Sequence, residues 1–89
     1  MRIVYDPAFL SKIQKIWNYI AEDSPERANQ FLSDLKIRIE NLPSFPYQCR
    51  KSIWFENEKI RDLIFKGYTV PYLIESDQIV ILDIFKWEK

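Results

Sequence analysis

Lys59-Ile-Arg-Asp-Leu-Ile-Phe-Lys-Gly-Tyr-Thr-Val-Pro-Tyr72 decides the fold, because two β-rich runs flank Gly67, the only glycine in the chain. Glycine reaches positive φ at little steric cost, so a lone glycine between two such runs marks an obligatory turn. The stretch reads as an antiparallel hairpin, Lys59 to Phe65 against Tyr68 to Ile74. Pro71 has no N–H to give to a ladder, so the second strand is expected to be interrupted there by a bulge or an unpaired position.

Beyond the hairpin, Glu75-Ser-Asp-Gln78 is a polar turn. Ile79 to Phe85 is a nearly continuous apolar run, as expected of a central strand covered on both faces. Ahead of the hairpin, Ser52-Ile-Trp-Phe55 reads as a short strand and Glu56-Asn-Glu58 as its turn. The linker Pro43-Ser-Phe-Pro-Tyr-Gln-Cys-Arg50 joins this β region to a helical one. There Ala28, Phe31, Leu32, Leu35, Ile39 and Leu42 recur at helical spacing behind Ser24-Pro25. Phe9, Leu10, Ile13, Ile16, Trp17 and Ile20 do the same behind Asp6-Pro7, in a helix expected to reach about Glu22. Both start signals follow one logic: Ser or Asp accepts from free amides, and proline has no N–H to leave unpaired. The short break between the helices favours an antiparallel helical hairpin. Arg2 to Tyr5 suits a short leading strand. The expected fold is α+β, one domain over residues 1–89, in the order β-α-α-β-β-β-β. The helical hairpin packs on one face of a mainly antiparallel twisted sheet.

With 47% hydrophobic and 16% aromatic residues, the chain has ample material for a single core. Thirteen basic residues balance thirteen acidic ones, so no global positive field favours nucleic acid, and any such contact must come from a local patch. There is no histidine and one cysteine, Cys49, which excludes imidazole chemistry and a Cys/His zinc site; no metal or other cofactor is expected. A single cysteine suits a reducing cytoplasm, and no run is long enough to span a bilayer, so the expected setting is soluble and cytoplasmic.

Several segments in order resemble the RelE/ParE superfamily of bacterial toxin–antitoxin toxins. Tyr19-Ile-Ala-Glu-Asp-Ser-Pro25 with Ala28 and Phe31 is similar to the Ile-Ala-x-Asp-Ser-Pro turn of the ParE-like branch. Leu42-Pro-Ser-Phe-Pro46 leading to Arg50, then Arg61 with Gly67-Tyr68-x-Val70-x-Tyr72 and Ile79-Val-Ile-Leu82, complete the likeness. The resemblance covers nearly the whole chain. It implies a toxin of a type II system that arrests growth and is neutralised by a cognate antitoxin protein. Two targets are implied: the ribosome, where RelE-like members cleave mRNA without a metal, or DNA gyrase, which ParE-like members poison by binding.

Cleavage of RNA through its own 2′-hydroxyl needs a deprotonated nucleophile, a stabilised phosphate and a protonated leaving oxygen. Without histidine, the RelE-like reading assigns this work to Lys59, Arg61 and Lys86. Thr69, however, stands where that branch places an arginine, and threonine supplies no bidentate charge. Arg50, Lys51, Trp54, Lys66 and Trp87 are the candidates for target binding, with Trp87 able to stack on a base. The plainer reading makes Lys59, Arg61 and Lys66 solvated charges that blunt a sheet edge or pair with Asp62, and Tyr68 and Tyr72 core residues. From a different class, a non-catalytic interaction module or decayed toxin of the same fold accounts for the same residues.

Overall fold

The computed structural model of the chain describes residues 1–86. The hairpin is its centre: β3 (Ile60–Phe65) pairs antiparallel with β4 (Tyr68–Ile74), with Phe65 opposite Tyr68. Lys66 at φ 48° and Gly67 at φ 83° both lie in the left-handed region, the requirement of a two-residue type I′ turn. Gly67 meets it freely, whereas Lys66 adopts it at a cost, with its ammonium held 3.2 Å from Asp34.

Around the hairpin, β1 (Arg2–Tyr5), β2 (Arg50–Lys51), β5 (Gln78–Ile81) and β6 (Phe85–Lys86) complete a six-stranded sheet. Its order is β1-β5-β4-β3-β2, with β6 also on β4, and only the β1–β5 pairing is parallel. Helices α1 (Pro7–Asp23) and α2 (Pro25–Glu40) cover one face. The Asp6 carboxylate accepts from the Ala8 amide at 2.8 Å to start α1. Ser24 alone separates the helices: its amide donates to the Ile20 carbonyl, closing α1, and its hydroxyl accepts from the Arg27 amide at 3.2 Å, opening α2. Trp17 Nε1 then donates to Asn29 across the hairpin at 3.1 Å.

The core lies between helices and sheet. Phe9, Phe31, Leu35, Ile39 and Leu42 meet Leu63, Phe65, Val70, Tyr72, Ile74, Ile79, Ile81 and Ile84. Phe31 packs edge-on to both Phe65 and Tyr68. Each of these aliphatic or aromatic side chains contributes about 1.5–3 kcal/mol when fully withdrawn from water.

The sequence reading holds at Pro71 and fails at Ile79–Phe85, at Ser52–Phe55, and at Leu10 and Leu32. Pro71 stays in register with Asp62 of β3 but interrupts pairing on the other side of β4. Its carbonyl accepts from the Leu82 amide at 2.9 Å, so its missing N–H faces the same edge, where the expected strand Ile79–Phe85 splits into β5 and β6. Ser52–Phe55 is not a strand; the edge strand is Arg50–Lys51 instead. Ser52 N–H still donates to the Ile60 carbonyl at 3.0 Å, but the next amide on that side, Trp54 N–H, goes to Ser52 Oγ at 3.1 Å, while Asp62 draws Ile53 N–H over the sheet at 3.2 Å. Leu10 and Leu32, expected on the buried stripes, lie on their flanks and are 51% and 36% exposed.

Candidate functional site

Arg61 points to the helix side of β3, opposite Tyr72. Its guanidinium donates to the carbonyls of Cys49 at 3.1 Å and Tyr47 at 3.4 Å, and lies 4.8 Å from the centre of the Tyr47 ring. Tyr72, fully buried, donates its hydroxyl to the Pro46 carbonyl at 2.7 Å. Burial, then the neighbouring Cys49 thiol, pushes the Tyr72 pKa upward, so the phenol stays a neutral donor. Together these two side chains fasten the linker Phe45–Cys49 to the sheet.

On the other face, the segment from Ser52 to Glu58 folds back over the sheet. Trp54 meets Phe85 edge-on at 5.3 Å, and Phe85 stands opposite Thr69. Beneath lie Asp62, Thr69 and Pro71, all buried. Asp62 accepts from Arg50 Nη2 at 3.4 Å and from Ile53 N–H. Its other oxygen and the Thr69 hydroxyl have no protein partner among the described residues. The strap is inverted in polarity, for Ile53, Trp54 and Phe55 are 61%, 45% and 41% exposed above a polar floor.

The three residues assigned to RNA cleavage are not brought together. The Lys59 carbonyl takes the Ile74 amide at one end of β4, and Lys86 stands opposite Tyr68 at the other. The length of β4, about 20 Å at ~3.3 Å per residue, lies between them. Arg61 is engaged with the linker, and Lys86 sits 6.0 Å over the Tyr68 ring. Of the target-binding candidates, Arg50 pairs with Asp62, Lys51 with Glu58 at 3.2 Å and Lys66 with Asp34. The Gln30 amide and then Lys66 hold the Asp34 carboxyl below its usual range. Trp54 is the one with an open apolar face, and Trp87 lies outside the described residues. Among the described residues no group of three or more potential ligand side chains is placed to hold a metal.

Three of the six candidate cations, Arg50, Lys51 and Lys66, are thus paired with acids, and two of those acids, Asp34 and Glu58, the sequence reading left unassigned. It also missed the apolar surface: Phe45 and Tyr47 on the linker, and Tyr19 and Ile37 on the helices, are all more than half exposed. Tyr19, Arg27, Phe31 and Lys66 line a cleft of about 670 Å³ at the turn end of the helical hairpin. Helical spacing gives the signal for Tyr19 and Ile37, which fall off the buried stripes. Such surface suits protein contact better than a phosphate backbone.

The model of the ParE toxin of the parDE type II toxin–antitoxin system matches residues 3–88. The chain belongs to this family. No curated protein matches it in sequence. Among solved structures, the chromosomal ParDE toxin–antitoxin system of P. aeruginosa contains a similar chain, with a TM-score of 0.81 at 22% identity. The match covers 99% of this chain and 97% of that one, so the likeness of fold runs from end to end.

Proposed function

We propose that this ParE-family chain arrests growth by binding a protein target, DNA gyrase, and that a small cognate antitoxin neutralises it. The observation that carries the reading is the dispersal of the basic residues. Lys59 and Lys86 stand at opposite ends of β4, and Arg61 is fastened to the linker carbonyls. A phosphate in flight needs two or three donors converging within hydrogen-bond reach. Zero net charge supports the same side, since docking among ribosomal RNA gains from excess positive charge. The exposed Tyr19, Ile37, Phe45, Ile53 and Trp54 supply the amphipathic and apolar anchors that protein interfaces use.

Induced expression of the chain alone should stop growth, and co-expression of the neighbouring short gene product should restore it. Primer extension on transcripts soon after induction should show no new 5′ ends. New 5′ ends would return the chain to the mRNA-cleaving branch, and harmless overexpression would make it a decayed module.

A further inference from the structure

β1 closes the sheet on one side, and its outer edge meets no other strand among the described residues. The Arg2 amide donates to the Asp77 carbonyl at 3.1 Å, and the Asp6 amide donates to the Ile81 carbonyl at 2.9 Å. Backbone groups alternate sides along a strand, so Arg2, Val4 and Asp6 face β5. Ile3 and Tyr5 therefore present both N–H and C=O to the open edge. Side chains alternate as well: Ile3 and Tyr5 pack on the core, while Arg2 and Val4 lie on the other face. Asp6, still extended at φ −67° and ψ 143°, continues that second set.

This edge is complementary to itself about Val4. An antiparallel copy centred there sets Ile3 of each chain opposite Tyr5 of the other, and Arg2 opposite Asp6. Each Ile3–Tyr5 pair exchanges two N–H···O=C bonds, and the two valines meet at the closer, non-hydrogen-bonded position. Opposite charges close both ends. Sliding the copy by two residues leaves outward amides unpaired and sets Arg2 or Asp6 against Val4. A charge on an edge strand ordinarily discourages pairing. Here Arg2 discourages only a strand that brings no acid.

We propose that the β1 edge is a self-pairing surface on which a second copy of this chain docks about a two-fold axis at Val4, joining two sheets into one. Val4, Val80, Leu73 and Ile60 stand in register across four strands on the face away from the helices. Pairing therefore runs this aliphatic row through both subunits. An edge of four residues buries less than the ~1,200 Å² at the low end of stable interfaces, so the dimer is weak and depends on concentration. It stands independently of the toxin's target.

The test is sedimentation velocity of the isolated chain over a wide range of concentration, with hydrogen exchange of the Ile3 and Tyr5 amides followed in parallel. The sedimentation coefficient should rise with concentration while exchange at these two amides slows. Val4→Lys places two ammonium groups face to face, and Arg2→Glu places acid against Asp6. Each variant should stay monomeric throughout and still unfold cooperatively, Arg2→Glu giving up only its exposed bond to Gln78. A wild-type chain that stays monomeric overturns the proposal, as does a Val4→Lys or Arg2→Glu variant that still dimerises. Ile3 and Tyr5 amides that slow only when the antitoxin is added overturn it too, and assign the edge to the antitoxin.

Discussion

Replacing Arg61 with alanine should lower the stability of the fold by about 1.5–3 kcal/mol, the range for hydrogen bonds made by a charged donor. Arg61 holds two linker carbonyls and stacks on Tyr47, so its loss frees the segment that Tyr72 alone would then anchor. In a domain of this size that loss lowers the melting temperature by roughly 6 °C or more. Lysine restores little, because an ammonium cannot bridge two carbonyls and stack as a planar guanidinium does. Thermal unfolding followed by circular dichroism gives the result directly. A nuclease role predicts a different outcome, with transcript cleavage lost and the melting temperature unmoved.

The strap over the other face yields the second large effect. The Asp62 side chain is 0% exposed and has Arg50 as its only cationic partner among the described residues, while the Arg50 side chain is 39% exposed. Arg50→Ala should therefore cost about 2–3 kcal/mol, somewhat less than a fully enclosed pair because water can approach from the arginine side. Asp62→Asn should cost less, since it keeps an acceptor for the Ile53 amide and buries no charge. Adding Asp62→Asn to Arg50→Ala should recover part of the loss. Urea unfolding of the two single variants and the double variant closes the cycle. Equal and additive losses would mean that Asp62 does not depend on Arg50.

The parts of the fold set by short-range chemistry were legible in the sequence. Gly67, Asp6-Pro7 and Ser24-Pro25 act within a turn or two of themselves, and the helical stripes report burial through spacing alone. Pro71 announced an interruption for the same reason, since a missing N–H is a property of one residue. What could not be read depended on partners far along the chain. Asp62 pulls Ile53 N–H over the sheet and Ser52 Oγ takes the Trp54 amide, so the expected Ser52–Phe55 strand leaves the ladder after Ser52; the Asp62 contact is set only when β3 is already in place. Lys59 and Arg61 alternate onto one face as a sequence pair. Cys49, Tyr47 and the length of β4 decide that Arg61 is engaged and that Lys86 is distant. The neutralising acids Asp34 and Glu58 come from α2 and the strap turn, where charge patterning assigns them no cation. Family membership was legible because it rests on the order of these local signals, whereas the site rests on their meeting in space.

The strap and linker also explain how this fold presents an apolar surface beside a balanced set of ion pairs. Phe45 and Tyr47 on one side of β2, and Ile53, Trp54 and Phe55 on the other, are exposed because neither segment has a second layer to bury them. A partner protein that covers them gains the transfer free energy the fold leaves unused, about 25 cal/mol per Å² of apolar area. Dispersed and paired cations offer a polyanion much less.

The most direct measurement is DNA supercoiling by purified gyrase with the purified chain added, with and without its antitoxin. Supercoiling should fall as the chain is titrated in and return when the antitoxin is supplied, while RNA programmed on ribosomes stays intact under the same conditions. Undiminished supercoiling together with cleaved ribosome-bound RNA would contradict a protein-binding mechanism.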